Sequence, residues 1–330
     1  MTTTKKILLA AAVSAALGAA TPAMAGTIGF QFDPTGTGTF NGPVLGSFDF
    51  IPGNALAVGA VPITTTPTDF TLVAQSNLGT FIGTDGTTPI SIAANCGLNA
   101  ACLIGALDDE ITYTTSFTET GVATSATGAT FTSKTGTYDL FFDSVADADS
   151  VTGSGYGNGT NILSATVRSG DQSSFNVDTT KSPTLLDGFG ADNQNGTQTV
   201  TGAGGGQLVL IDLVIDPNYI KLSGNPDALL VNLLFNTSFI TPFSQTNPSN
   251  QVVGNTPKYS VVAGTRVNGL FPVGGCQTEA GVASTGPCDF HFQADANGSF
   301  TVTAVPEPAS LALMGLGLVG LGFVGRRRSV

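Results

Sequence analysis

The chain of 330 residues contains no tryptophan, one histidine, four cysteines and only 11 Lys and Arg against 23 Asp and Glu. Each shortage removes a class of function. Without tryptophan there is no indole platform for stacking sugar rings. Any Ser-His-Asp relay would have to run through His291, and a lone histidine between Phe290 and Phe292 on a strand reads as a structural residue rather than a general base. Basic residues are too few to neutralise a phosphate backbone, so nucleic acid is excluded as a partner. Outside the chain ends the only glutamates are Glu110, Glu119 and Glu279, and none stands in a paired acid/base motif of the glycosidase kind. The expectation is a protein without a catalytic residue.

What is present lies first at the two ends. Lys5 and Lys6 precede an apolar stretch over 7–17, and Ala23-Met24-Ala25 supplies small residues at −3 and −1, the pattern of a secretory signal peptide cleaved after residue 25. At the other end Pro306-Glu307-Pro308 interrupts regular structure, an apolar run follows over 309–325, and Arg326, Arg327 and Arg328 close it. The run is about long enough to cross a hydrocarbon core of ~30 Å, and the arginines hold its far end in the cytoplasm. This assigns 1–25 to a signal peptide, 26–304 to one exported domain and 305–330 to a sorting segment with a single transmembrane helix that anchors the chain transiently in the inner membrane.

Removing both ends sharpens the charge. Five of the 11 basic residues and one of the 23 acids fall there, leaving 6 and 22 and a net of −16 over 26–304. Such a surface keeps a secreted domain soluble and repels polyanions.

Threonine, valine, phenylalanine and glycine dominate this region while Lys, Glu and Arg are scarce, a composition that favours strands over helices. Strand-like runs fall at 27–32, 70–78, 110–117, 136–142, 160–168, 207–215, 228–235 and 290–294, separated by Gly-, Asn- and Pro-rich punctuation such as 153–159 and 202–206, which reads as turns. The expected class is all-β: a single β-sandwich or jelly roll of roughly ten strands. No Gly-rich stretch is followed by the strand-to-helix pattern of a nucleotide loop.

In an exported chain the cysteines point to disulfides. Cys96 lies six positions before Cys102, and Cys276 twelve before Cys288, so pairing within each couple needs the least rearrangement, although three connectivities exist. A zinc knuckle is disfavoured because no C-x-x-C occurs. Asp139, Asp143, Asp147 and Asp149 fall within eleven residues and offer hard oxygens to Ca²⁺, yet they lack the glycine and terminal glutamate of an EF-hand loop; a solvated acidic hairpin is the competing reading. Calcium is the one cofactor the residues suggest.

The tail from Val305 to Arg328 resembles the PEP-CTERM sorting signal of Gram-negative bacteria. The resemblance implies an exosortase-type membrane enzyme as processing partner, acting at Pro306, Glu307, Pro308 and the arginines Arg326 to Arg328. The stretches 30–38, 48–59 and 153–163, and the run Phe290-His291-Phe292-Gln293-Ala294-Asp295-Ala296-Asn297, are similar to the flocculation-associated PEP-CTERM family. That similarity implies a secreted or cell-surface protein acting with exopolysaccharide in the matrix of flocs or biofilm, with no catalytic residues to carry over.

Overall fold

The computed structural model describes residues 27–61, 63–90, 109–148, 155–178, 180, 184–185, 198–199, 202–224, 231–241, 252–253, 256–257, 276–277, 283–284 and 288–302. In chain order these form β1 (Thr27–Ile28), β2 (Phe30–Phe32), β3 (Leu45–Phe50), β4 (Gly53–Val61), β5 (Thr68–Gly83), β6 (Pro89–Ile90), β7 (Glu110–Ala123), β8 (Gly128–Asp143), β9 (Thr160–Val167), β10 (Gln172–Val177), β11 (Thr184–Leu185), β12 (Gln198–Thr199), β13 (Gly202–Ile215), β14 (Ile220–Leu222), β15 (Val231–Thr241), β16 (Val252–Val253), β17 (Thr256–Pro257), β18 (Cys276–Gln277), β19 (Ala283–Ser284) and β20 (Cys288–Val302). No helix occurs among the described residues, in agreement with the all-β expectation.

The strands close into an eight-strand antiparallel barrel. Going round it, β3 and β4 share one position, followed by β5, β7, β8, then β9 and β10 sharing a position, β13, β15 and β20, which pairs back onto β4 and β3. Ile51-Pro52 splits the first shared position, because proline has no N–H for the ladder. Residues 168–171 split the second. There Ser133 Oγ donates to the Arg168 carbonyl at 2.8 Å, and the Asp171 carboxylate takes the Val209 N–H at 2.6 Å and the Arg168 guanidinium. A bent strand pair is thereby pinned to both neighbours.

This closure corrects the sandwich expectation. Alternating apolar and polar residues bury one face of a strand in either architecture, so the pattern alone does not distinguish two stacked sheets from one sheet wrapped on itself. The decisive element is β20, hydrogen-bonded along both sides, which closes the ring of eight positions where a sandwich would leave two separate sheets.

On β7 the alternation is plain. Tyr113, Thr115, Phe117 and Glu119 face the lumen; on the other face Thr112 and Thr114 are buried, Thr112 donating to the Tyr156 carbonyl at 2.8 Å, while Ser116, Thr118 and Thr120 are partly exposed. β-Branched threonine suits the outer position, where it supports extended backbone and keeps a hydroxyl in reach of water. The lumen is filled by rings: Tyr113 and Tyr138 stack at 5.5 Å, Phe235 meets both edge-on at 5.2 Å, and Phe50 packs on Tyr113 at 4.8 Å. A second group, Phe30, Phe48, Phe81 and Phe300, continues from Phe50 and brings β1 and β2 into the core, with Phe30 stacked on Phe48 at 4.6 Å.

The glycines at 202–206 are not turns as expected; they lie in β13. Their inward positions are pressed against β10: a Cβ on Gly204 would stand 2.1 Å from the Ser174 carbonyl oxygen, and one on Gly206 would stand 2.4 Å from Ser173 Cβ. Here glycine answers close strand approach rather than positive φ. Further along, β13 slips register against β9 between Ile211 and Val214, and Asp212 takes φ 54° at the bulge.

Because Phe235 touches three other lumen rings, Phe235→Ala should cost about 3–5 kcal/mol. Urea denaturation followed by tyrosine fluorescence should show this as a lowered midpoint with an unchanged slope.

Candidate functional site

One end of the barrel gathers carboxylates into ordered loops. Asp33 follows β2 and is buried. Its Oδ1 accepts the Thr35 N–H at 2.9 Å and the Thr35 hydroxyl at 2.6 Å; its Oδ2 accepts the Thr37 N–H and hydroxyl, both at 3.1 Å, and the Thr39 N–H at 2.8 Å. Burial raises the pKa of this carboxyl, but the donors at Thr35, Thr39 and Thr37 together outweigh it and hold the group below the usual carboxylate range. Gly36 and Gly38, at φ 63° and 76°, let the loop curl around the charge. The Tyr219 ring lies where a Cβ on Gly36 would be, 2.7 Å away, so the loop is seated on the turn before β14.

Next to it Glu110 opens β7. Its Oε1 accepts the N–H groups of Asp147 and Ala148 at 3.1 and 3.0 Å, and its Oε2 accepts Asn77 Nδ2 at 2.9 Å. Burial is the main cause of its raised pKa, reinforced by the charges of Asp147 and Asp143 and opposed by the two backbone donors. Asp147 in turn holds Asn158 Nδ2 with both oxygens at 2.9 Å. Asp143 accepts the Val145 N–H at 2.9 Å, which turns the chain out of β8.

Between these loops lies an open polar cleft of about 420 Å³. Thr35, Asp143, Ser144, Asn158, Thr160 and Tyr219 present hydroxyl, carboxylate and amide groups to it. Phe142 supports Tyr219 from below at a ring separation of 5.6 Å. A pocket of this make-up offers hydrogen-bond partners for a hydroxyl-rich ligand and has no cation for an anionic one.

Of the four aspartates proposed for calcium, three lie among the described residues, and each has partners of its own. Asp139 is engaged along the outer face with Asn161 Nδ2 at 3.0 Å and Ser164 Oγ at 2.6 Å. Asp143 and Asp147 serve the loops just described, and Asp149 lies outside the described residues. Among the described residues no three His, Cys, Asp or Glu side chains are placed together to hold a metal ion. Sequence reasoning missed Glu110 as the organiser. Its only signal is position: a strand-opening acid after Asp108-Asp109, paired in register with Asp143.

Cys96 and Cys102 lie outside the described residues. Cys276 pairs in the backbone with Ser284, and Cys288 with Val61; no disulfide is seen among the described residues. His291 sits on β20 opposite Leu56.

Both terminal segments lie outside the described residues, and no described helix is long and apolar enough to cross a membrane. The tail is decided by comparison instead: the family description "PEP-CTERM protein-sorting motif" matches residues 304–328. The chain carries a PEP-CTERM sorting signal. That signal contains Pro306, Glu307, Pro308, Arg326, Arg327 and Arg328, and it marks an exosortase-targeted, exported protein directed to the envelope of a Gram-negative bacterium. No curated protein and no solved structure matches the chain.

Asp33→Ala removes the acceptor of five hydrogen bonds and should destabilise the PEP-CTERM protein by about 1–3 kcal/mol at pH 7. A carboxylate whose pKa is lowered by folding contributes stability above its unfolded value of 3.8 and loses it as pH falls through the folded value. The gap between wild type and variant should therefore narrow below about pH 4, as read by denaturation midpoints across an acid series.

Proposed function

We propose that this protein is a matrix or cell-surface component that acts with exopolysaccharide to hold bacterial cells together in flocs or biofilm, without catalysis of its own. The PEP-CTERM signal at 304–328 carries this reading: it delivers the domain to the compartment where secreted polymer accumulates. The resemblance of 30–38, 48–59, 153–163 and 290–297 to the flocculation-associated family supplies the polymer as partner.

The barrel's outside suits that partner. Thr71 pairs with Thr118, Thr120 with Thr132, and Thr137 with both Ser116 and Thr166, so partly exposed hydroxyls run across four neighbouring strands. Hydroxyls arrayed on a rigid sheet exchange hydrogen bonds with sugar hydroxyls directly or through shared water. The polar cleft beside Asp143 and Tyr219 extends the same chemistry at the barrel's end. The net charge of −16 over 26–304 favours a neutral or basic polymer over a polyuronate. Pairing of Cys96 with Cys102 and of Cys276 with Cys288 belongs to the same proposal, as staples that harden the exported domain by a typical ~2–4 kcal/mol each.

A strain lacking the protein should secrete exopolysaccharide at the normal level yet grow dispersed; normal flocs in that strain would remove the reading. Complementation with His291→Ala should restore aggregation, since no histidine chemistry is involved. Failure of that variant despite normal secretion would favour an enzyme. Intact mass of protein recovered from the native host should lack both residues 1–25 and the segment beyond the Pro306-Glu307-Pro308 element, and retention of Arg326 to Arg328 would contradict exosortase processing.

A further inference from the structure

Glu119 is the exception to the apolar lumen. It sits on β7 between Phe117 and Gly121, is only 5% exposed, and points into an interior cavity of about 30 Å³. Leu72, Phe117, Leu208 and Phe292 form the apolar walls, and Thr115 and Thr237 add hydroxyls. The space suffices for about one water. Among the described residues no hydrogen bond or ion pair reaches the Glu119 carboxyl, and burial is the sole cause acting on its ionisation.

Nothing around it supplies a compensating charge. The neighbouring charges on β5 and β8, Asp69 and Lys134, pair with each other on the outer face. Asp171, before β10, is held by Arg168 and by the Val209 N–H. The cavity-facing residues of β13, β15 and β20 are uncharged, Asp295 of β20 is exposed, and Tyr113 is the only other titratable side chain lining the space. Burial drives the Tyr113 phenol far above its ordinary range, so it stays neutral. An ionised carboxylate left in such a lumen has to be hydrated, neutralised or expelled.

The seam between β10 and β13 borders this cavity. There Ser173 lines the cavity with a small polar side chain, and its partner across the ladder, Gly206, has no side chain to cover it. We propose that Glu119 is a proton-binding site that locks the barrel: the neutral acid is compatible with the closed lumen, and its ionisation admits water along the β10–β13 seam.

Burial pushes the Glu119 carboxyl up to about 8 from its ordinary 4.5. The folded chain therefore holds a proton that the unfolded chain has released. For an acid raised by folding, stability is greatest below about 4.5, falls as pH rises towards about 8, and changes no further once the folded form is also ionised. Glu110 and Asp295 are also raised, by burial first, so the contribution of Glu119 is read as a difference between variants that share them.

The test uses the full chain in detergent solution. Between about pH 5 and pH 8 the unfolding constant of wild type should rise by about tenfold per pH unit more than that of Glu119→Gln. Amide exchange, expressed as protection relative to the free peptide rate, should fall selectively at 172–177 and 202–206 above about pH 8 in wild type and stay constant in the variant. Identical pH dependence in wild type and Glu119→Gln would overturn the proton site. Loss of protection spread evenly over all strands would overturn the seam. Should Glu119→Gln not fold, Glu119→Leu, which matches the apolar walls, takes its place in both measurements under the same criteria.

Discussion

The pairing of β20 with β15 on one side and with β4 and β3 on the other is the constraint from which the rest of this structure follows. Once the last strand closes the ring, its ladders run all the way round and the strands of the ring turn one face to a common interior. Each inward position must then be apolar, small or internally partnered, because an eight-strand barrel has just enough room for its own side chains. The stacked and edge-on rings of Phe50, Tyr113, Tyr138 and Phe235 fill that room, and the inward glycines of β13 allow β10 to approach where a side chain would collide. Glu119 departs from the rule, and the energetic consequence of its burial is correspondingly large.

The same closure sends polar residues to the outside and to the ends, where the acid-rich composition meets a shortage of cations. With only 6 Lys and Arg against 22 Asp and Glu over 26–304, there are too few cations to give each carboxylate one of its own. Two ion pairs occur among the described residues, Lys134 with Asp69 and Arg168 with Asp171. The other ordered carboxylates take backbone N–H groups, threonine hydroxyls and asparagine amides instead: Asp33 collects three residues of its own loop, Glu110 anchors the chain after β8, and Asp147 clamps Asn158. Such bonds to a charged acceptor are short and directional. They make these acids organisers of loops.

These loops shape the polar cleft at the barrel's end, and the outer threonine ladders extend a hydroxyl-rich surface along its wall. The PEP-CTERM signal determines where that surface is displayed. Tail and barrel thus divide the work: the first is a sorting address for export, the second an acidic, hydroxyl-bearing body.

What the sequence determined by itself was local. The sorting tail was legible because its proline break, apolar run and arginines act through composition and order within 26 residues, with no need of folded context. The all-β class was legible because threonine, valine, phenylalanine and glycine dominate 26–304 while Lys, Glu and Arg are scarce, and such preferences act residue by residue. Only the tertiary structure decided between sandwich and barrel, since that depends on hydrogen bonds between strands far apart in the chain, to which alternation is blind. It likewise decided that Gly204 and Gly206 lie in a strand, that Asp139 stands apart from Asp143 and Asp147, and that Glu110 and Glu119, alike as letters, take opposite places. Glu110 meets donors at the end of the barrel and Glu119 faces apolar walls inside it; a carboxyl's surroundings are made by residues from other strands, and those are brought together only by folding.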